Sequence, residues 1–157
     1  ELTKFRLKVP DSFGAGIAVQ PTDDLTLTLD VIHIEYEDLL EDFVIILSQD
    51  TYTKDNFKID NATEVHFGVE YVLTIGERLL ALRAGIYHEP DHTIRFTGTT
   101  GSAYNDISEK ELFPGGDDQI HITGGVGLVV SEKFQIDTAA NIANKNKQLS
   151  VSAVYRF

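Results

Sequence analysis

The chain contains no cysteine, no methionine and no tryptophan. Without cysteine there is no disulfide, no thiolate zinc site and no thiol nucleophile. Nowhere does it approach the roughly 18 consecutive apolar residues of a membrane-spanning helix. Helical spans are therefore excluded, but strands that cross a bilayer alternate apolar and polar residues and need no such run. Positive charge is also scarce, with 13 Lys and Arg against 25 Asp and Glu and a formal net charge of -12. Nucleic-acid binders carry the opposite excess, so no nucleic-acid partner is expected. The chain begins at Glu1, and its first ten residues are charged and strand-like. This reads as a mature or truncated piece without a signal peptide.

What is present is alternation. The 157 residues, 42% of them hydrophobic, suit one folded domain spanning 1–157. Period-2 patterning dominates and helical periodicity is nearly absent. Eight segments place one apolar row opposite one mixed row, beginning with Phe5, Leu7 and Val9 against Lys4, Arg6 and Lys8. The next three are 13–20, 25–32 and 64–71, and the last four are 80–87, 120–128, 134–142 and 148–157. Tight turns rich in Pro, Gly, Asn and Asp join several of them, whereas two connections, 37–61 and 89–118, are long. If the strands run up and down, both long connections leave on the side away from the C-terminus. Short turns on one rim and long loops on the other is the layout of an outer-membrane barrel.

The fold class expected is therefore all-β, an antiparallel up-and-down transmembrane β-barrel. Its apolar row meets lipid and its mixed row meets the lumen. The mixed row carries Lys4, Arg6, Lys8, Arg83 and Arg156, with Asp30, Glu64, Glu70, Asp137, His66 and His121. Unpaired burial of such charges is costly, so they pair or surround water. Bracing the lumen is the plain reading, and ligand binding by individual members is the functional one. Gly14, Gly16, Gly68, Gly85, Gly125 and Gly127 fall on this row too. They either leave space for a ligand or plug, or permit tight curvature of the wall.

The terminal alternation ending in Tyr155 and Phe157 resembles the C-terminal assembly signal of bacterial outer-membrane barrels, which implies the barrel assembly machinery as a partner. Five internal stretches extend the likeness: Val9 to Gly16, Thr26 to Tyr36, His66 to Tyr71, Leu82 to Tyr87 and Phe113 to Asp118. Together they resemble the C-terminal half of the FadL-type outer-membrane transporters of long-chain fatty acids and hydrocarbons (the FadL/TodX family). The resemblance implies a bacterial outer-membrane location, contact with outer-membrane lipid, and a hydrophobic small molecule such as a fatty acid or detergent as ligand. Transport would be passive. Members of that family have fourteen strands and an N-terminal hatch, and neither a hatch nor the early strands occur in this chain. Eight strands could close into a small barrel filled by its own side chains, or form part of a larger one. The alternative function is a small closed barrel serving as a structural or surface-interaction protein. A weaker third reading is a soluble lipid-binding barrel with its apolar row turned inward.

Four local patterns carry competing readings. His88-Glu89-Pro90-Asp91-His92 matches the H-E-x-x-H zinc pattern. That chemistry needs a helix, which Pro90 and the flanking strand-like runs oppose. A chance match at a loop start is expected, with an adventitious cation at His88, Asp91 and His92 as the lesser reading. Leu39, Leu40, Phe43, Val44 and Leu47 have helical spacing inside the first long loop. They are read as a short amphipathic loop helix or a strand extension, or as a greasy patch that captures a hydrophobic substrate. Gly115-Gly116-Asp117-Asp118 lacks the ligand spacing of a calcium loop and is expected to be a turn. Asn61-Ala62-Thr63 matches a glycosylation acceptor, which means nothing in a bacterial barrel.

No triad, phosphate loop or paired carboxylates stand out, so neither an enzyme, a cofactor nor a metal is expected. The acidity itself is localised. Each long loop carries seven acids against two bases, so ten of the twelve excess negative charges sit in the loops.

Overall fold

The computed structural model describes residues 8–43, 54–99 and 101–157. Its elements follow in the order β1 (Ser12–Thr22), β2 (Leu25–Ile34), α1 (Leu40–Phe43), β3 (Phe57–Lys58), β4 (Ala62–Ile75) and β5 (Arg78–Glu89). Then come β6 (Arg95–Phe96), α2 (Ala103–Leu112), β7 (Gln119–Ser131), β8 (Phe134–Ile142) and β9 (Lys147–Tyr155). Short 3-10 turns at Tyr36–Leu39 and Lys54–Asn56 precede α1 and β3. Seven strands form one sheet in the order β1-β2-β4-β5-β7-β8-β9, and β3 pairs with β6 in a second, two-stranded sheet. The architecture is thus mostly antiparallel β, as the alternation predicts. The expected strand over 4–9 lies outside the described residues except for Lys8 and Val9, and these two are not in a strand.

Every neighbour in the large sheet is antiparallel. From β4 to β9 the register runs without a break except for a bulge between Val129 and Ser131. In β2 and β4 the Val72 N–H donates to the Asp24 carbonyl, while His33 meets Thr63. Rising numbers on one strand therefore meet falling numbers on the other. Tight turns join β1 to β2, β4 to β5 and β7 to β8 at one end of the sheet. At Gly76, φ is +63°, a backbone that L side chains rarely adopt. The two long connections and the β8–β9 turn leave from the other end.

The described residues fall into two compact units. One holds the chain up to Phe13 with Ile32–Thr63 and Pro90–Asp118, and the other holds Gly14–Val31, Glu64–Glu89 and Gln119–Phe157. The first unit has an apolar core of its own. Phe57 and Phe96 face each other across β3 and β6, with ring centroids 5.5 Å apart at 74°. Phe113 adds a second edge-on contact to Phe57 at 5.1 Å. Phe57, Phe96, Ile59 and Ala62 are all buried. Edge-on aromatic pairs contribute about 0.5–1.5 kcal/mol each beyond their buried area. This small sheet and α2 were not foreseen. β3 and β6 are each two residues long; alternation shows at Thr93–Phe96 but does not mark a pairing partner, and α2 has only a weak apolar stripe.

Charge closes this unit. Asp60 accepts hydrogen bonds from Lys58, at 2.8 Å, and from Arg95. Asp91 is a knot. Its Oδ1 accepts from the Thr93 N–H and hydroxyl, at 3.0 and 2.6 Å, and its Oδ2 accepts from the Gly116 N–H at 3.2 Å. A side chain at Gly116 would put Cβ 2.4 Å from Asp91 Oδ1, so the close approach requires glycine. Lys8 pairs with Asp38 and Glu41 at 2.8 and 3.1 Å, in the connection after β2, and not with acids of the mixed row.

Both loop carboxylates are held below the usual aspartate range. For Asp60 the cause is the Lys58 hydrogen bond, then that of Arg95. For Asp91 burial pushes upward, but the bonds from Thr93 and Gly116 and the charge of Arg95 outweigh it. A carboxylate with a depressed folded pKa stabilises above its unfolded value, about 3.9, and loses that contribution as pH falls through the folded value. The first unit is therefore expected to loosen below about pH 4. Its Phe57–Phe96–Phe113 cluster reports this through near-UV circular dichroism between pH 6 and 2. Asp91→Ala should shift the transition toward neutral pH and cost about 1–3 kcal/mol, by stranding the Thr93 and Gly116 donors.

Candidate functional site on the polar face of the sheet

The register sorts the second unit's side chains into two faces. On one, Phe67, Ile86, Ile122 and Ile142 form a rung across four strands, followed two residues on by Val69, Ala84, Gly124, Ala140 and Leu149. This apolar face is open: Phe67 is 46% exposed, Ile122 61% and Val151 71%. Among the described residues of this unit, the only buried apolar side chain is Ala143, in the β8–β9 turn. Among the described residues the sheet thus packs no core against its apolar face.

The other face carries small and polar residues. A hollow of about 380 Å³ opens over it, lined by Gly68, Gly85, Gly125, Thr28, Arg83 and Tyr87 among others. Crowding points the same way. A Cβ at Gly16 would collide with the Asp30 carboxylate, one at Gly68 would lie 2.6 Å from Thr28 Oγ1, and one at Gly85 2.7 Å from Thr123 Oγ1. Gly124, on the apolar face, has nothing nearer than 3.9 Å. The glycines of the mixed row therefore make room for neighbouring polar side chains to lie across the strands.

Two clusters occupy this face. In the first, Arg83 of β5 bonds Glu70 of β4 through Nε at 2.5 Å and Asp137 of β8 through Nη1 at 2.8 Å. To reach Asp137 the guanidinium crosses β7 where Gly125 and Gly127 leave the backbone bare. Gln135 Nε2 donates to both Asp137 oxygens, at 3.1 and 2.8 Å, and Arg156 donates to Gln135 Oε1 at 3.4 Å. The result is a polar ladder from β4 to the end of β9. One guanidinium between two carboxylates leaves that bridge with a net negative charge.

In the second cluster three rings stack across β4, β5 and β7. Tyr87 lies between His66, at 4.5 Å and 7°, and His121, at 4.1 Å and 10°. Each pair is directly opposite in the ladder, so the stack follows from register alone. His66 Nε2 meets Glu64 at 2.9 Å. His121 is 3% exposed, and its Nδ1 bonds Asn141 Oδ1 at 3.1 Å. The Asn141 amide also donates to the Tyr87 hydroxyl at 3.1 Å. His121 Nε2 lies 2.6 Å from Glu89 Oε2 without hydrogen-bond alignment.

Of the mixed-row residues singled out in the sequence, Glu70, Arg83, Asp137 and Arg156 thus join one ladder, and Glu64, His66 and His121 join the stack. Asp30 stands apart, over Gly16. Tyr87, Glu89, Gln135 and Asn141 were missed as site residues, although counting by twos from Arg83 reaches Tyr87 and Glu89 on the same face. His88 and Glu89 of the H-E-x-x-H run end β5 as strand, and beyond it His92 stacks on Tyr36 at 4.5 Å. Asp118 accepts the Asp91 N–H at 2.8 Å, and Gly115–Asp118 is an irregular segment leading into β7 rather than the expected turn. Leu40 lines a hollow with Phe57 and Ile59. Leu39 is half-buried in the turn before α1, and Phe43 ends α1. Val44 and Leu47 lie outside the described residues. Tyr155 closes β9 opposite Phe134, with the Phe157 ring edge-on at 5.6 Å.

No family model matches the chain, and no curated protein or solved structure is detectably similar to it.

A methyl group at Gly127 would sit 2.4 Å from Asp137 Oδ1 and 2.9 Å from Arg83 Nη1. Gly127→Ala is expected to part this ion pair and cost about 1–2 kcal/mol, whereas Gly124→Ala on the open face should stay within about 0.5 kcal/mol. Urea unfolding midpoints of the two variants in detergent check the contrast.

Proposed function

We propose that this chain forms part of the wall of an outer-membrane β-barrel of the FadL type, which passes long-chain fatty acids or other hydrophobic small molecules by diffusion. One observation carries the reading: among the described residues one face of the sheet is apolar and uncovered, while the other is small, polar and paired. Soluble proteins rarely expose so large a contiguous apolar surface. In lipid that surface is satisfied, and a polar interior is the usual complement. A soluble lipid-binding barrel needs the apolar face turned inward instead.

The tight turns at one end of the sheet and the long connections at the other support the same orientation. The long acidic connections would then leave the strands on the cell-surface side, and the C-terminal Phe157 would face the periplasm. The hollow over Gly68, Gly85 and Gly125 offers a smooth floor along which an acyl chain can slide. The Arg83 bridge and the histidine–tyrosine stack border it with polar groups that orient a head group.

Reconstitution into lipid vesicles tests this reading. Labelled oleate should enter vesicles carrying the protein faster than protein-free vesicles. Equal rates at full incorporation would sink the transport reading and leave the structural-barrel alternative.

A further inference from the structure

One buried group on the polar face is left unmet. The His121 side chain in β7 is 4% exposed, and its Nε2 has no hydrogen-bond partner among the described residues. Glu89 Oε2, at the end of β5, lies 2.6 Å from that nitrogen but off its axis. A buried polar atom in this position costs free energy unless something else meets it.

The neighbours fix what Nε2 offers. The Asn141 amide nitrogen donates to the Tyr87 hydroxyl, so the Asn141 carbonyl oxygen is the atom that faces His121 Nδ1. A carbonyl oxygen only accepts, which places the imidazole hydrogen on Nδ1 and the lone pair on Nε2. That lone pair and the Glu89 carboxylate are both acceptors, and at 2.6 Å they repel unless a cation lies in front of them. A hydrogen on Nε2 would not remedy this, since it would point past Oε2.

Two such atoms side by side form a pair of metal ligands. Zinc sits about 2.0–2.2 Å from an imidazole nitrogen and a carboxylate oxygen, and its ligands stand about 3 Å apart. Glu89 has only a few tenths of an ångström to move to reach that spacing. Its side chain is 27% exposed and can swing aside to admit an ion. The Nδ1 bond to Asn141 is the outer contact that orients a metal-bound histidine and sets its tautomer. Imidazole with carboxylate suits zinc or copper, whereas calcium and magnesium take oxygen ligands. Glu89 also belongs to the H-E-x-x-H run, but His88 pairs with Val65 and Ile120, and alternation turns it to the opposite face. The site is therefore not the one that motif describes.

We propose that His121 Nε2 and Glu89 bind one divalent first-row d-block cation, zinc or copper, with water completing its coordination. The ion clips β5 to β7 at the end of the sheet from which the long connections leave. The inference does not depend on transport, and its test needs none.

The full chain, folded in detergent micelles, is titrated with zinc by calorimetry. One ion per chain should bind. His121→Gln and Glu89→Gln should each weaken binding about tenfold or more, while His92→Gln should leave it unchanged. Nitrogen-15 NMR of the histidines gives a readout on the unaltered chain. Zinc should shift one Nε2 resonance while the same ring keeps its Nδ1 proton, and Glu89→Gln, which preserves side-chain size, should abolish that shift. If His121→Gln does not fold, this signature and Glu89→Gln decide the matter. No saturable binding at millimolar zinc overturns the proposal. Binding that survives both substitutions, or that is lost in His92→Gln, overturns it equally.

Discussion

An uncovered apolar face is the constraint from which the rest of the sheet follows. Burial of apolar area, at about 25 cal/mol per Å², is the main favourable term in folding a water-soluble domain. Among the described residues this sheet forgoes it on its apolar face, where Phe67, Ile122 and Val151 remain open. Its order comes instead from the backbone ladder and from what crosses the polar face, and apart from Ala143 the buried apolar residues described lie in the other unit.

On the polar face the glycines decide what can be built, because a Cβ at Gly16, Gly68, Gly85 or Gly127 would meet a polar side chain of a neighbouring strand. Bare backbone at Gly125 and Gly127 lets Arg83 lie across β7 and join Glu70 to Asp137 over three strand boundaries. The same economy places Thr28 over Gly68 and Asp30 over Gly16. The ring stack of His66, Tyr87 and His121 works differently, since these large planar groups meet face to face and fill their rung themselves. Small residues and flat ones are two answers to one packing limit.

The long connections are more than tethers. They bring β3, β6 and Phe113 together around a small aromatic core, and the Asp60 and Asp91 carboxylates tie the chain around it. Fourteen acids lie in these two connections, yet the carboxylates that matter most for local order are those with Lys58, Arg95, Thr93 and Gly116 against them. Acidity there is partly structural and partly surface.

Alternation alone placed seven strands of the large sheet, beside an eighth over 4–9 that falls mostly outside the described residues, and showed which residues share a face. A period of two is a property of the extended backbone and needs no partner to be legible. For that reason Glu70, Arg83, Asp137, His66 and His121 could be placed on one side before any contact was known. Which of them meet could not be read, because it depends on register, and a shift of two residues keeps every face but changes every partner. Tertiary structure alone decided that Tyr87 falls between two histidines, that Gln135 carries the ladder to Arg156, and that Lys8 turns to Asp38 and Glu41. It also decided the role of the glycines: the space a missing side chain leaves is assigned only when a neighbouring strand brings something to fill it.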